Sequence, residues 1–166
     1  NISIKQTSNN FPEVKHSEIL HLPHGLQGFF DYNQALEHAR LIDKPLFIDF
    51  TGHGCVNCRK MEEYVWSDPR VLDKLQNEYV IVALYVDDKT KLPEEQWYES
   101  KYDGKIKKTI GKQNFDFQIK RFNSNAQPYY VLLNHNEELL VNPKAYDLNI
   151  DNFVSFLDRG LDKFNR

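Results

Sequence analysis

The sequence predicts an α/β fold with a central mixed β-sheet flanked by helices and an insertion after the third strand. Three observations carry this expectation. The runs around Phe47-Ile48-Asp49-Phe50 and Tyr79-Val80-Ile81-Val82-Ala83-Leu84-Tyr85-Val86 are nearly continuous in apolar and β-branched residues, as in strands covered on both faces. Between and around them, apolar residues recur with the 3.6-residue period of amphipathic helices. Finally, Pro128 abuts the apolar run Tyr129-Tyr130-Val131-Leu132-Leu133, which is followed by the turn-forming Asn134-His135-Asn136-Glu137.

The chain has 166 residues, the length of one domain able to bury a core without metals or several disulfides. Its 40% apolar content, rich in Phe and Tyr, suits a packed interior, and a net charge of −3 supplies no basic field for nucleic acid. No stretch approaches the roughly 20 apolar residues of a membrane span, and the first residues lack the charged-then-apolar pattern of a secretory signal. The opening residue is Asn1 rather than Met, which suggests a processed or excised piece.

In order along the chain, residues 1–24 are rich in Asn, Ser, Lys and His, carry Pro12 and Pro23, and read as a linker or N-terminal arm, with the folded domain over 25–166. Residues 26–30 suit a short first strand. Asp31 then stands as a helix N-cap, with Gln34 in the position of a capping box. Tyr32, Ala35, Leu36, Ala39 and Ile42 form one helix face, ended by Pro45. The second strand leads through Thr51-Gly52 into a helix that begins at Cys55. Met61, Val65 and Trp66 continue that helix until Ser67-Asp68-Pro69, where proline at a first helical position marks a restart bearing Val71, Leu72 and Leu75. The third strand should lie beside the second. Residues 87–113 turn polar and basic, with Pro93, Gly104 and Gly111, and read as a surface excursion holding a short hairpin. Phe115, Ile119 and Phe122 predict a helix, residues 138–141 a return strand pairing with 129–133, and Phe153, Phe156, Leu157, Leu161 and Phe164 a last helix capped by Asn149 or Asp151. The order is β-α-β-α-β-α-β-β-α.

The chemistry concentrates at Cys55 and Cys58, the two cysteines of the chain. A cysteine at a helix start meets unpaired N–H groups and the positive end of the helix dipole, which stabilise its thiolate and make it a nucleophile near neutral pH. Cys58, one turn on, can resolve a mixed disulfide, so the pair reads as a dithiol/disulfide exchange centre. Two other readings stand beside it. Cys-x-x-Cys is also a zinc half-site, with His21, His24 and His53 as further ligands, although structural zinc usually closes a loop-rich fold rather than following a buried strand. An inert disulfide is the third, but so short a loop constrains the unfolded chain little. No metal and no cofactor are expected. Asp49 alternates with Phe47 and is expected to face the interior beneath the cysteines, where a raised pKa would suit it to relay a proton to or from Cys58; the alternative is a strand-edge carboxylate in solvent. His53 would favour the Cys55 thiolate when protonated, or simply be exposed. Pro128 lacks an N–H and belongs at a strand start; a cis Gln127-Pro128 bond, the minority state for such a dipeptide, would turn the preceding backbone toward a partner.

These residues carry a resemblance. Asp49 placed six positions before a Cys-x-x-Cys, with a later Gln127-Pro128 opening a strand hairpin, resembles the thioredoxin superfamily. Lys44-Pro45-Leu46-Phe47-Ile48-Asp49-Phe50-Thr51-Gly52, Cys55-Val56-Asn57-Cys58-Arg59-Lys60-Met61-Glu62 and Ser67-Asp68-Pro69 are similar to the C-terminal periplasmic domain of DsbD-type thiol:disulfide interchange proteins, over about residues 26–164. The resemblance implies a thioredoxin fold and a protein-disulfide reductase in which Cys55 attacks, Cys58 resolves and Asp49 assists proton movement. It further implies a substrate-binding rim of Gln127, Pro128, His53, Gly54, Val56 and Asn57. Its partners would be disulfide-bonded or thiol proteins, with a membrane-embedded domain as electron donor and a periplasmic or extracytoplasmic location, as the soluble part of a membrane protein. An isomerase or oxidant of the same fold is the alternative, decided by redox potential. The chain departs from thioredoxins in having Gly54 where Trp usually precedes the first cysteine, and Ala83 where a lysine often accompanies the buried acid.

Overall fold

A computed structural model describes residues 11–166. Its centre is β1 (Leu46–Thr51), which pairs in parallel with β2 (Val80–Tyr85) and antiparallel with β5 (Tyr129–Leu133), so the sheet is mixed. Every residue of β1 and β2 is buried, because helices cover both faces. On one face Phe47 packs against Trp66, Tyr79, Tyr130 and Phe153, beneath α3 (Pro69–Asn77) and α5 (Ile150–Phe164). On the other, Leu46, Ile48 and Phe50 meet Ala35, Leu36 and Ala39 of α1 (Tyr32–Ile42) and Phe117 and Phe122 of α4 (Ile110–Phe122).

Local signals explain most boundaries. Asp31 caps α1 by accepting from the Gln34 N–H at 2.9 Å. The expected reciprocal bond of a capping box does not form: the Gln34 side chain accepts from the Lys15 N–H and donates to the Glu13 carbonyl, fastening the N-terminal segment instead. That segment, anticipated as part of an arm over 1–24, lies against the domain from Phe11 onward. Phe11 stacks on Phe29, and Leu20 is buried with Phe30, Ala83 and Tyr85. Such scattered apolar contacts have no period to read in sequence. Residues 1–10 of the anticipated arm fall outside the described residues.

α2 (Val56–Met61) runs into a π-helical turn at Glu62–Trp66, which leaves the consecutive Val65 and Trp66 both buried; α3 then restarts at Pro69 under the Asp68 cap. The insertion contains the expected hairpin, β3 (Tyr98–Glu99) with β4 (Ile106–Lys107), and is mostly exposed, but Ser100 and Asp88 are buried. Asn149, rather than Asp151, caps α5.

Three expectations need correction. The first strand at 26–30 is reduced to one parallel bridge, Phe29 to Val82, because a 3₁₀ turn at Pro23–Gly25 and the Asp31 cap leave too little chain for a ladder. The return strand at 138–141 is likewise only isolated bridges, Leu133 to Leu139 and Tyr130 to Lys144, interrupted at Asn142-Pro143, where proline has no N–H to contribute. The α4 face is also displaced: Phe115 is an exposed residue, whereas Phe117 and Phe122 reach the core beside buried Asp116 and Gln118. Those polar side chains disguise the period because hydrogen bonds let them be buried. Asp116 accepts from Ser100 and Tyr98, and Gln118 joins Gln127 and the Ala126 carbonyl.

Candidate active site

At the end of β1, Thr51 and Gly52 leave the sheet and the chain turns through His53 and Gly54, with the Cys55 N–H donating to the Gly52 carbonyl at 3.3 Å. Cys55 is the N-cap of α2. Its Sγ accepts from the Cys58 N–H at 3.1 Å, the position a capping oxygen takes in other helices. Cys55 and Cys58 are joined as a disulfide with Cα atoms 5.2 Å apart. The two sulfurs differ in access: Cys55 is half-buried between exposed Gly54 and Val56, while Cys58 is only 2% exposed. An outside disulfide can therefore reach Cys55 and not Cys58.

Below them lies an acidic floor. Asp49 shares the β1 face of Phe47, the face covered by Met61, Val65 and Trp66, and is buried at 3% exposure. Its Oδ1 has no hydrogen-bond partner among the described residues. Burial, reinforced by the negative charge of Glu62 and opposed by Arg59, holds the Asp49 carboxyl well above the ordinary carboxylate range. Burial also raises Glu62, against the opposing charges of Arg59 and His24. Arg59 spans the floor, its Nη2 donating to the Thr51 hydroxyl and pairing with Glu62, each at 2.9 Å. Ala83 stands beside Asp49 in the β1–β2 register, so the cation near this acid comes from α2 rather than from the neighbouring strand.

The rim is built from two directions. Gln127-Pro128 is cis, with Pro128 buried immediately before β5. The β1–β5 register, continued one step beyond Phe50 and Tyr129, sets Pro128 opposite Thr51 at the end of β1 that leads to Cys55. The Gln127 amide is occupied, donating to the Gln118 side chain at 2.8 Å. On the opposite side, the Asp87 carboxylate accepts from the N–H groups of His53 and Gly54 at 2.8 and 2.9 Å. The His53 ring stacks on Tyr85 with centroids 4.5 Å apart, and its Nε2 lies 2.7 Å from Asp88 Oδ2. Its charge when protonated is thus paired with a carboxylate rather than committed to Cys55. Burial raises the Asp88 carboxyl, but hydrogen bonds from His53 and Thr90 outweigh it and hold the group below its usual range. Val56 and Asn57 are exposed beside the disulfide. Of the histidines weighed as zinc ligands, His24 bonds the Glu62 carbonyl, and no cluster of three or more His, Cys, Asp or Glu side chains among the described residues is arranged around a metal position.

Sequence reasoning passed over Glu62, Arg59, Asp87 and Asp88. Glu62 lies four residues after Cys58, on the same helix face, and could have been read from that spacing. The parallel register ends with Thr51 beside Tyr85, which brings 86–88 next to 52–54; only knowledge of that pairing identifies the two acids.

Against known proteins, a family model of a thioredoxin-like domain matches residues 32–158. Among characterised sequences, the thiol:disulfide interchange protein DsbD of Campylobacter jejuni is 33% identical over 58 residues, which is 35% of this chain and 10% of that protein. The DsbD of Salmonella typhimurium is 40% identical over 53 residues, 32% of this chain and 9% of that protein. The chain therefore matches about a tenth of the length of these relatives. Among solved structures, the oxidoreductase DsbH aligns with a TM-score of 0.60 at 18% identity, covering 86% of this chain and 91% of its own. The oxidised C-terminal domain of Neisseria meningitidis DsbD aligns at a TM-score of 0.52 and 15% identity, over 81% of this chain and 99% of its own. A Thermus thermophilus thioredoxin aligns at 0.56 and 21%, over 80% and 85%.

Proposed function

The chain belongs to the thioredoxin-like domain family, and on that premise we propose that it is a protein-disulfide reductase working through Cys55 and Cys58. The observation that carries this reading is the unequal access of the two sulfurs above a buried acid: Cys55 half-exposed at a helix N-terminus, Cys58 buried, and Asp49 on the strand beneath with a carboxylate oxygen that has no partner among the described residues.

In the reduced protein the Cys55 thiolate attacks one sulfur of a substrate disulfide. The substrate S–S bond breaks, a mixed disulfide forms, and the departing substrate thiolate takes up a proton. Cys58 then gives its proton to the Asp49 carboxylate and attacks Cys55 Sγ, releasing the second substrate thiolate. Two electrons have passed to the substrate and the Cys55–Cys58 disulfide remains. Cys58 is buried, and the same desolvation that disfavours ionisation of Asp49 and Glu62 disfavours a charged dithiol there, which supports a reducing rather than an oxidising couple. The cis Gln127-Pro128 backbone, with His53, Gly54, Val56 and Asn57, forms the surface on which substrate chain docks.

The DsbD-like segments suggest that the electrons come from a membrane-embedded partner domain and go to extracytoplasmic proteins. Among the described residues no helix is long and apolar enough to cross a membrane, so such a donor would lie outside them. The test is direct. Reduced protein should accelerate reduction of a test protein disulfide, Cys55→Ser should abolish this, and Cys58→Ser should accumulate mixed disulfides. Turnover retained by Cys55→Ser would overturn the assignment of nucleophile, and a couple more oxidising than glutathione would overturn the direction.

A further inference from the structure

We infer that Asp87, the first residue of the insertion, is a positioning residue that holds the loop before the nucleophile and sets the reactivity of Cys55; this rests on the reading of Cys55 as nucleophile. The geometry is specific. Both oxygens of one exposed carboxylate are used, Oδ1 on the His53 N–H and Oδ2 on the Gly54 N–H, so the two residues before Cys55 are fixed by a side chain from the neighbouring strand end. Gly52 accommodates it: a Cβ there would lie 3.0–3.2 Å from the Asp87 carboxylate. Asp88 completes the grip through the His53 ring. The segment bearing both acids is itself anchored to the start of α4, where the Gly111 N–H donates to the Asp88 carbonyl and the Asn114 amide to the Tyr85 carbonyl. Gly111 has no room for more, since a Cβ would come within 2.6 Å of the Asp88 backbone.

The consequence for chemistry follows from charge. The helix N-terminus favours a Cys55 thiolate, and a carboxylate bonded to the preceding residue disfavours it. Other charged groups around this end of the molecule are Arg59 on α2, Glu62 at the start of the π-helical turn with His24 near it, Asp49 on β1, and the paired His53 and Asp88. Among these acids Asp87 is the exposed one, so its effect is the one that salt screens most readily. Lys60 on α2 is also exposed and its screening acts in the opposite sense.

The experiment follows the alkylation rate of Cys55 against pH in the reduced Cys58→Ser protein, alone and with Asp87→Asn, at low and high salt. It requires no disulfide turnover, so it is independent of whether the protein acts as a reductase. Removing the charge should lower the Cys55 pKa by about half a unit, raising the rate below that pKa about threefold, and about 1 M salt should erase most of the difference. Gly52→Ala, which displaces the carboxylate while keeping its charge, should shift the pKa in the same direction by less, and serves as the second variant if Asp87→Asn does not fold. An unchanged pKa in a folded variant, or a shift that salt leaves intact, would overturn the inference.

Discussion

Replacing Asp49 with Asn removes the buried carboxyl that we propose takes the Cys58 proton, while keeping size and shape. An ordinary thiol with a pKa near 8.5 is only about 3% ionised at pH 7, so a general base that supplies the thiolate on demand is worth at most roughly 30-fold to such a group. Cys58 is 2% exposed, so solvent has little access to take that proton in place of the carboxyl. The resolving step should therefore slow by up to about 30-fold near pH 7, below the low end of what general acid–base assistance supplies. The assay is rapid-mixing release of substrate thiol from the Cys55 mixed disulfide, followed from pH 6 to 10. The deficit should shrink as pH rises, because Cys58 then ionises unaided. Stability should move the other way. A carboxyl whose folded pKa is raised binds more protons folded than unfolded, so it costs stability above its unfolded pKa, and this cost grows until the folded pKa is reached. Asp49→Asn should thus be at least as stable as wild type at pH 7, with that advantage gone below about pH 4, the unfolded carboxyl value. A pH–rate profile for Asp49→Asn identical to wild type would refute the proton-relay role.

Two further outcomes test how the insertion is held. Gly111→Ala drives a Cβ against the Asp88 backbone, which cannot step aside as a flexible side chain would; it should cost about 1–3 kcal/mol in denaturant unfolding, and a variant as stable as wild type would show that α4 can shift. Burial raises Asp116, but bonds from Ser100, Tyr98 and Lys120 outweigh it and lower the group, so its contribution to the hairpin is present above the unfolded carboxyl pKa and is lost as pH falls through the folded one. Asp116→Asn should speed amide exchange in β3 and β4 more than in β1, and should remove this acid dependence; equal exchange in both sheets would refute the anchoring role.

Much of this site was legible without coordinates because its signals are local. A helix starts where Cys55 can cap it, Pro69 restarts a helix because its missing N–H costs nothing there, and a β-branched run such as 80–85 marks a covered strand whatever surrounds it. Alternation along β1 likewise assigns Asp49 to the Phe47 face once the strand is recognised.

What depends on two distant segments meeting was not legible. The α4 face was misread because Asp116 and Gln118 are buried by virtue of partners at Ser100, Tyr98 and Gln127, and the return strand failed at Pro143 after a turn with Glu137 at positive φ. The grip of Asp87 and Asp88 on the His53-Gly54 turn follows from the parallel register of β1 and β2, and Arg59 comes near Asp49 through the packing of α2 on the sheet; no local pattern encodes either. By itself the sequence determined that the Cys55–Cys58 pair opens a helix after a buried strand, since side-chain type and chain spacing suffice for that placement. Only the tertiary structure decided which charged and buried groups surround those sulfurs, because charge and desolvation act through space, between groups whose separation along the chain says nothing of their distance.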